Sequence, residues 1–216
     1  MEEANQTVST QKIILFVVFI SAALMTLLFV FHMGHKPQPT LAEGDGTLFP
    51  APRDIKPFQL ATDKQSFTQK DFLNHWTLLF FGFTHCSSVC PVTMTMLNQA
   101  YEKLQRTYPG VQVVLVSLDP DRDTPSSVMK YARSFNPNFI GVTGKIPELR
   151  KLQSQLGIFA ARDASATENN YQLQHTSSIL LINPQGKWAG IFKYGMPPEQ
   201  FANAFDVSIK SLSRYA

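Results

Sequence analysis

The sequence predicts an α/β domain with a central mixed sheet flanked by helices, preceded by a single transmembrane helix. Three observations predict it. Strand-like and helix-like segments alternate from about residue 76 onward and close with a hairpin and a helix. The only two cysteines, Cys86 and Cys90, stand four apart between an apolar run and a helical stretch. Near the start, Ile13 to Phe31 is an unbroken run of 19 residues without a charge.

Residues 1–12 are a polar N-terminal tail. The run from 13 to 31 would span about 28 Å as a helix, against a hydrocarbon core of about 30 Å. It is longer than the apolar region of a secretory signal, and no clear Ala-x-Ala cleavage site follows, so it reads as an uncleaved signal anchor. Lys12 and Lys36 flank it on opposite sides, which leaves the orientation open. Residues 32–49 are polar with proline and glycine and read as a linker. Residues 50–216 are long enough to bury a core. The net charge is +3 without a basic stretch, which argues against nucleic acid as a partner. Two cysteines build neither a disulfide scaffold nor a complete cysteine-based tetrahedral zinc site.

Within the domain, Phe58–Thr62 and Ser66–Thr68 are short strand candidates, and Gln69–Asn74 a helical turn. Trp76 to Phe83 is apolar enough for a buried strand. After the cysteine turn, Pro91 to Thr107 carries Met94, Leu97, Tyr101 and Leu104 at helical spacing, and Pro109-Gly110 stops it. Val111 to Leu118 is a β-branched strand buried on both faces. Thr124 caps a helix that begins at Pro125 and runs to about Phe135. Asn138–Thr143 is a short strand, Ile146–Leu156 a helix stopped by Gly157, and Gly157–Ala161 an extended segment. Arg162 to Gln174 is polar and aperiodic, an inserted loop or hairpin. Thr176–Ile182 and Lys187–Tyr194 pair across Asn183-Pro184-Gln185-Gly186, and Pro197–Ser211 is a final helix. This order is thioredoxin-like. In open α/β sheets, reactive groups gather at the carboxyl end of a central strand, where the cysteines fall here.

Thiols at a helix N-terminus face the positive end of its dipole, which favours the thiolate. A thiolate pair either attacks disulfides or binds a soft metal. If Cys86 and Cys90 share the first helical turn, their Cα atoms lie about 6 Å apart, close enough for shared ligation or for a disulfide. His175, far along the chain and just ahead of a strand, carries no ligand signal by itself. Oxidoreductases of this fold usually place a cis-proline near that point. Here the segment is Gln174-His175-Thr176-Ser177, so a histidine could close a metal site over the thiols. His85 would point away from Cys86 along the strand, and Met94 and Met96 have core spacing. Asp119 and Asp123 serve the turn and the cap, with Asp119 also placed to line the site.

Four segments then carry a resemblance: Gly82-Phe83-Thr84-His85-Cys86-x-x-Val89-Cys90-Pro91; Ser117-Leu118-Asp119-Pro120-x-Arg122-Asp123-Thr124; Tyr171-x-x-x-His175-Thr176; and Asn183-Pro184-x-Gly186. Together, and in this order, they resemble the Sco/SenC family of membrane-anchored, thioredoxin-fold copper-binding proteins. Those proteins help deliver copper to the dinuclear CuA site of cytochrome c oxidase subunit II. The resemblance spans about residues 50–212. It implies that Cys86, Cys90 and His175 are copper ligands, that copper is Cu(I) or Cu(II), and that a periplasmic copper donor or thiol reductant serves the protein. It also implies a single-pass anchor in the cytoplasmic (inner) membrane with the domain in the periplasm. Copper(I) is soft and accepts two thiolates and an imidazole.

There are departures from the pattern. Ser87-Ser88 stands where many members have Pro-Asp, Gln174 where many have Asp, and Asn183 where Asp is common. Loss of carboxylates near the metal is expected to change affinity, redox behaviour or docking. The resemblance favours a copper chaperone that is not an enzyme. The alternative is a periplasmic thiol–disulfide oxidoreductase that reduces cysteines of the oxidase subunit or another target through the same pair.

Overall fold

The structure, a computed structural model, describes residues 2–34, 41, 45–163 and 171–213. The chain divides into two compact units, Met1–Pro39 and Thr40–Ala216. The first holds helix α1 (Glu2–Gly34). Its large apolar side chains from Ile14 to Phe29 are exposed. The two polar residues in that stretch bond back to the helix: the Ser21 hydroxyl donates to the Val18 carbonyl at 2.9 Å and that of Thr26 to Ala22 at 2.6 Å. Among the described residues no helix is long and apolar enough to cross a membrane. The side chains described without interruption run from 14 to 29, short of the about 20 residues a span requires.

The second unit contains, in order, β1 (Gly46–Asp54), β2 (Gln59–Ala61), β3 (Ser66–Thr68), a 3₁₀ turn (Gln69–Phe72), β4 (Thr77–Gly82), α2 (Val89–Thr107), β5 (Gln112–Ser117), α3 (Pro125–Phe135), β6 (Ile140–Val142), α4 (Ile146–Gln155), β7 (Ala160–Arg162), β8 (Leu173–His175), β9 (Ile179–Ile182), β10 (Lys187–Phe192) and α5 (Pro198–Leu212). The main sheet runs β1-β10-β9-β4-β5-β6. Strand β5 pairs in parallel with β4 and β6, while β9 is antiparallel to β4 and β10. The expected mixed sheet is therefore present, with β4 as an inner strand.

Every residue of β4 is buried, as its unbroken apolar sequence requires of an inner strand covered on both faces. Its alternation sorts the core into two clusters. Leu78 and Phe80 pack with α2, α3 and α5, through Met94, Leu97, Val128, Phe201 and Phe205. Leu79 and Phe81 pack on the other face with Phe58, Phe67, Phe72, and Leu149 and Leu152 of α4.

Three expectations need correction. The linker drawn to residue 49 overlaps β1, which pairs with β10 from Gly46. Pro50 and Pro52 disguised it, and they are accommodated because β1 is an edge strand whose register breaks between Leu48 and Arg53. Other linker residues, 35–40 and 42–44, lie outside the described ones. Helix α2 begins at Val89 rather than Pro91, so Cys90 is inside it and Cys86 is not. The strand expected over Thr176–Ile182 is only Ile179–Ile182. The aperiodic stretch before it takes the hairpin form of the two that were expected: β7–β8 is two-stranded, separate from the main sheet, and carries His175. Residues 164–170 at its tip lie outside the described ones.

Candidate metal centre

The site forms where β4 ends. Gly82 sits in register beside Ser117 of β5, and the chain then leaves the sheet through Phe83 to Ser88. A buried carboxylate holds that exit. Asp123, 2% exposed, accepts the Thr84 amide N–H at 2.9 Å and both the Thr84 and Ser117 hydroxyls. The backbone turns back through Cys86 N–H to Phe83 carbonyl, 3.3 Å. Helix α2 then opens with Ser88 at its N-cap, yet the Ser88 side chain makes no cap hydrogen bond. Instead the Cys90 amide donates to Cys86 Sγ at 3.4 Å. A sulfur thus occupies the place an N-cap oxygen normally fills, against the second helical amide. Cys90 is fully buried and Cys86 half-buried. Gly82 makes room for the pair, because a Cβ there would lie 2.9 Å from Cys90 Sγ.

His175 arrives from the β7–β8 hairpin, paired with Ala160. Its Nδ1 lies 2.9 Å from the Thr176 carbonyl, which can only accept, so Nδ1 carries the proton. In the neutral ring the lone pair is then on Nε2, which lies 3.7 Å from Cys90 Sγ. Phe80 and Phe83 meet the imidazole edge-on, with centroids 6.3 and 5.9 Å away. The backbone carbonyl thus fixes the tautomer, as happens in metal-binding histidines.

The two thiols are unequal. A hydrogen bond from the Cys90 thiol holds Cys86 at about 4, with further help from the Ser88 and Cys90 amides, against the opposing effect of burial. The same contact, together with burial, pushes Cys90 well above the ordinary thiol range. The reduced pair is therefore one thiolate, Cys86, sharing the proton of one thiol, Cys90.

Among the described residues no group of three His, Cys, Asp or Glu side chains is preset to hold a metal ion. The pairwise geometry nevertheless fits one. Bonds of about 2.3 Å to sulfur and 2.0 Å to nitrogen, the lengths of a d¹⁰ ion such as zinc, separate two trigonal ligands by about 3.7 Å, which is the observed Cys90–His175 distance.

Comparison with known proteins decides the family. A family model described as SCO1/SenC matches residues 50–210. The chain belongs to the SCO1/SenC family. It is 30% identical over 149 residues to the mitochondrial SCO2 homolog of Danio rerio, covering 68% of this chain and 53% of that protein. The chain thus spans about half the length of that relative. The apo Sco1 solution structure from Thermus thermophilus is similar with a TM-score of 0.63 and 31% identity, over 79% of this chain and 96% of that one. The crystal structure of Arabidopsis thaliana ScoI with copper bound is similar with a TM-score of 0.68 and 27% identity, over 73% and 99%.

In this SCO1/SenC domain the remaining sequence candidates fall as follows. His85 is exposed and turned away, with Nδ1 3.1 Å from the Thr84 hydroxyl and 3.6 Å from Asp123. Met94 and Met96 are buried in the core. Asn183 caps its own turn, its Oδ1 accepting from Gln185 and Lys187 amides, and Gly186 supplies the positive φ of 73°. Asp119 is buried and bonded to Arg122 and Tyr171. Sequence reasoning gave no role to Tyr171 or to the Asp123–Thr84 clamp. Both lay inside the quoted motifs, and the signal was their clustering around the ligand positions.

Proposed function

We propose that the protein binds copper through Cys86, Cys90 and His175 and delivers it to the CuA site of cytochrome c oxidase subunit II during oxidase assembly. Residues 13–31 would tether it to the cytoplasmic membrane, with the domain in the periplasm. The observation that carries the reading is the Nε2 lone pair of His175 turned to Cys90 Sγ at 3.7 Å. A dithiol alone serves many chemistries, but an imidazole fixed as an acceptor beside it suits a soft cation. A thiolate at Cys86 offers a first ligand without proton release, and Cys90 must lose its proton as copper enters. Sulfur exchange with a target's cysteines then moves the ion, and a shared membrane raises the chance of encounter. Family membership and the copper-bound Arabidopsis relative support the reading.

The test is anaerobic transfer. The copper(I)-loaded protein is mixed with a reduced, metal-free subunit II fragment, the two are separated, the copper carried by the fragment is measured, and the CuA absorption spectrum is read after ferricyanide withdraws one electron from the two copper(I) ions. The wild type should metallate the fragment, and Cys86→Ser or Cys90→Ser should not. Equal transfer by both variants would refute the proposal.

The inequality of the thiols favours a second reading, thiol–disulfide exchange. The Cys86 thiolate would attack a target disulfide to give a mixed disulfide. Cys90 would then lose its proton and displace the target thiolate, leaving Cys86–Cys90 oxidised and the target reduced by two electrons. The discriminating assay uses an oxidised fragment without copper, where His175→Ala should leave exchange nearly intact if this reading holds.

A further inference from the structure

We propose that Tyr171 is a positioning residue, a latch that closes the β7–β8 hairpin onto the Asp119–Asp123 loop and so holds His175 against Cys90. For copper, the proposal rests on the reading above that His175 is a ligand.

The hairpin needs a latch. Each strand has three residues, and the two pair only with each other, not with the main sheet. Such a ribbon is marginal alone. Tyr171, just before β8, is 3% exposed. Two guanidinium groups lie over its ring, with Arg122 Cζ 3.5 Å and Arg162 Cζ 4.2 Å from the centroid. Its hydroxyl donates to Asp119 Oδ1, while the other Asp119 oxygen accepts from Arg122 Nε at 2.6 Å. Tyr171, Arg122 and Asp119 thus close a triangle in which both carboxylate oxygens are used. Burial and the neighbouring carboxylate push the phenol up, so it stays a donor. On the facing strand, Arg162 pairs with Asp121 of the same loop. Next to the latch, Gln172 Nε2 donates to the His85 carbonyl at 3.2 Å, which ties the hairpin to the cysteine turn as well.

The loop therefore works in two directions. Asp123 at one end holds the Thr84 exit that leads to Cys86. Asp119 at the other end holds Tyr171, four residues before His175. Ser117 joins the two, its hydroxyl donating to Asp123 and accepting from the Asp119 amide at 3.1 Å. One short loop sets the spacing between the thiols and the imidazole, although it contributes no atom to the metal. Cation–π contacts are strongest when desolvated, which places Tyr171 at the centre of the device.

The test uses the full chain in detergent micelles, reduced and metal-free, in four forms: wild type, Tyr171→Leu, Arg162→Gln and His175→Ala. Hydrogen exchange is read at the Asp163 and Thr176 amides, which bond to the Gln172 and Phe159 carbonyls across the hairpin, with β4 and β5 amides as the reference. Tyr171→Leu should speed hairpin exchange at least tenfold, Arg162→Gln by less, with the reference unchanged. A copper(I) competition titration should then place Tyr171→Leu between wild type and His175→Ala, a few-fold weaker than wild type. If Tyr171→Leu also exposes the reference strands, Arg162→Gln decides, since its exposed side chain does not support the core. Unchanged hairpin exchange in Arg162→Gln and Tyr171→Leu overturns the latch, whatever copper does. A loosened hairpin with wild-type copper binding in His175→Ala supports the latch and sinks the ligand reading instead.

Discussion

Replacing Asp123 separates the support of the site from its ligands. The carboxylate is 2% exposed and takes three hydrogen bonds, from the Thr84 amide at 2.9 Å and from the Thr84 and Ser117 hydroxyls. Ser117 is fully buried, so its hydroxyl has no water to turn to. Removing the acceptor in Asp123→Ala strands the Ser117 hydroxyl and the Thr84 amide, each worth about 1–3 kcal/mol. Relief of the buried charge offsets part of this, leaving an expected loss of about 3 kcal/mol, a large share of a typical 5–15 kcal/mol. Asp123→Asn behaves differently. Its single oxygen can take the Oδ2 position, which receives the Thr84 amide and the Ser117 hydroxyl. Its NH₂ can donate to the Thr84 oxygen, so every partner stays satisfied and the loss is about 1 kcal/mol. Urea unfolding followed by fluorescence of Trp76 and Trp188, both in the globular unit, measures the difference. Equal losses in the two variants, or a loss under about 1 kcal/mol in Asp123→Ala, would refute the clamp.

Three further predictions follow from the same geometry. Gly82→Ala puts a methyl 2.9 Å from Cys90 Sγ and 3.2 Å from a Phe80 ring carbon, so it should cost about 1–3 kcal/mol in the same unfolding assay and weaken copper(I) binding; a neutral substitution would contradict the packing. Cys86, held at about 4, should be alkylated by iodoacetamide at a rate nearly flat above about pH 6 and falling as pH drops through the folded value, where an ordinary thiol of pKa near 8.5 would still be climbing. Because the shift is downward, its contribution to stability is complete above the unfolded thiol value and is lost as pH falls through about 4. Finally, alkaline carbonate washing should leave the full chain in the membrane pellet and release a chain lacking residues 13–31; release of both would remove the proposed anchor.

Much of the fold was legible because local signals agreed with burial. β4 and β5 are apolar without alternation, as inner strands must be, and Thr124-Pro125 marks the α3 start, where the Thr124–Ser127 capping box forms. β1 was not legible, since prolines deny a strand its amides and only an edge position with a register break rescues it. The start of α2 was misplaced because proline signals an early helical position but not which one; here it is the third, after Val89 and Cys90. At the site, the cysteine pair announced itself by spacing and place. His175 could be named only through the resemblance, because its neighbours in space, Cys90, Phe80 and Phe83, are distant in sequence. The sulfur cap on α2 and the Tyr171 latch depend on side-chain directions in a turn and a hairpin, which no periodicity encodes.

The central claim is that two sulfurs and one imidazole hold copper together. An anaerobic copper(I) competition titration of the reduced protein, wild type beside His175→Ala, tests it most directly. The account predicts tight one-to-one binding that weakens by a factor of about 10–100 when the imidazole is removed, with folding unchanged. Binding that is indifferent to His175 would contradict it and leave the pair as a redox dithiol.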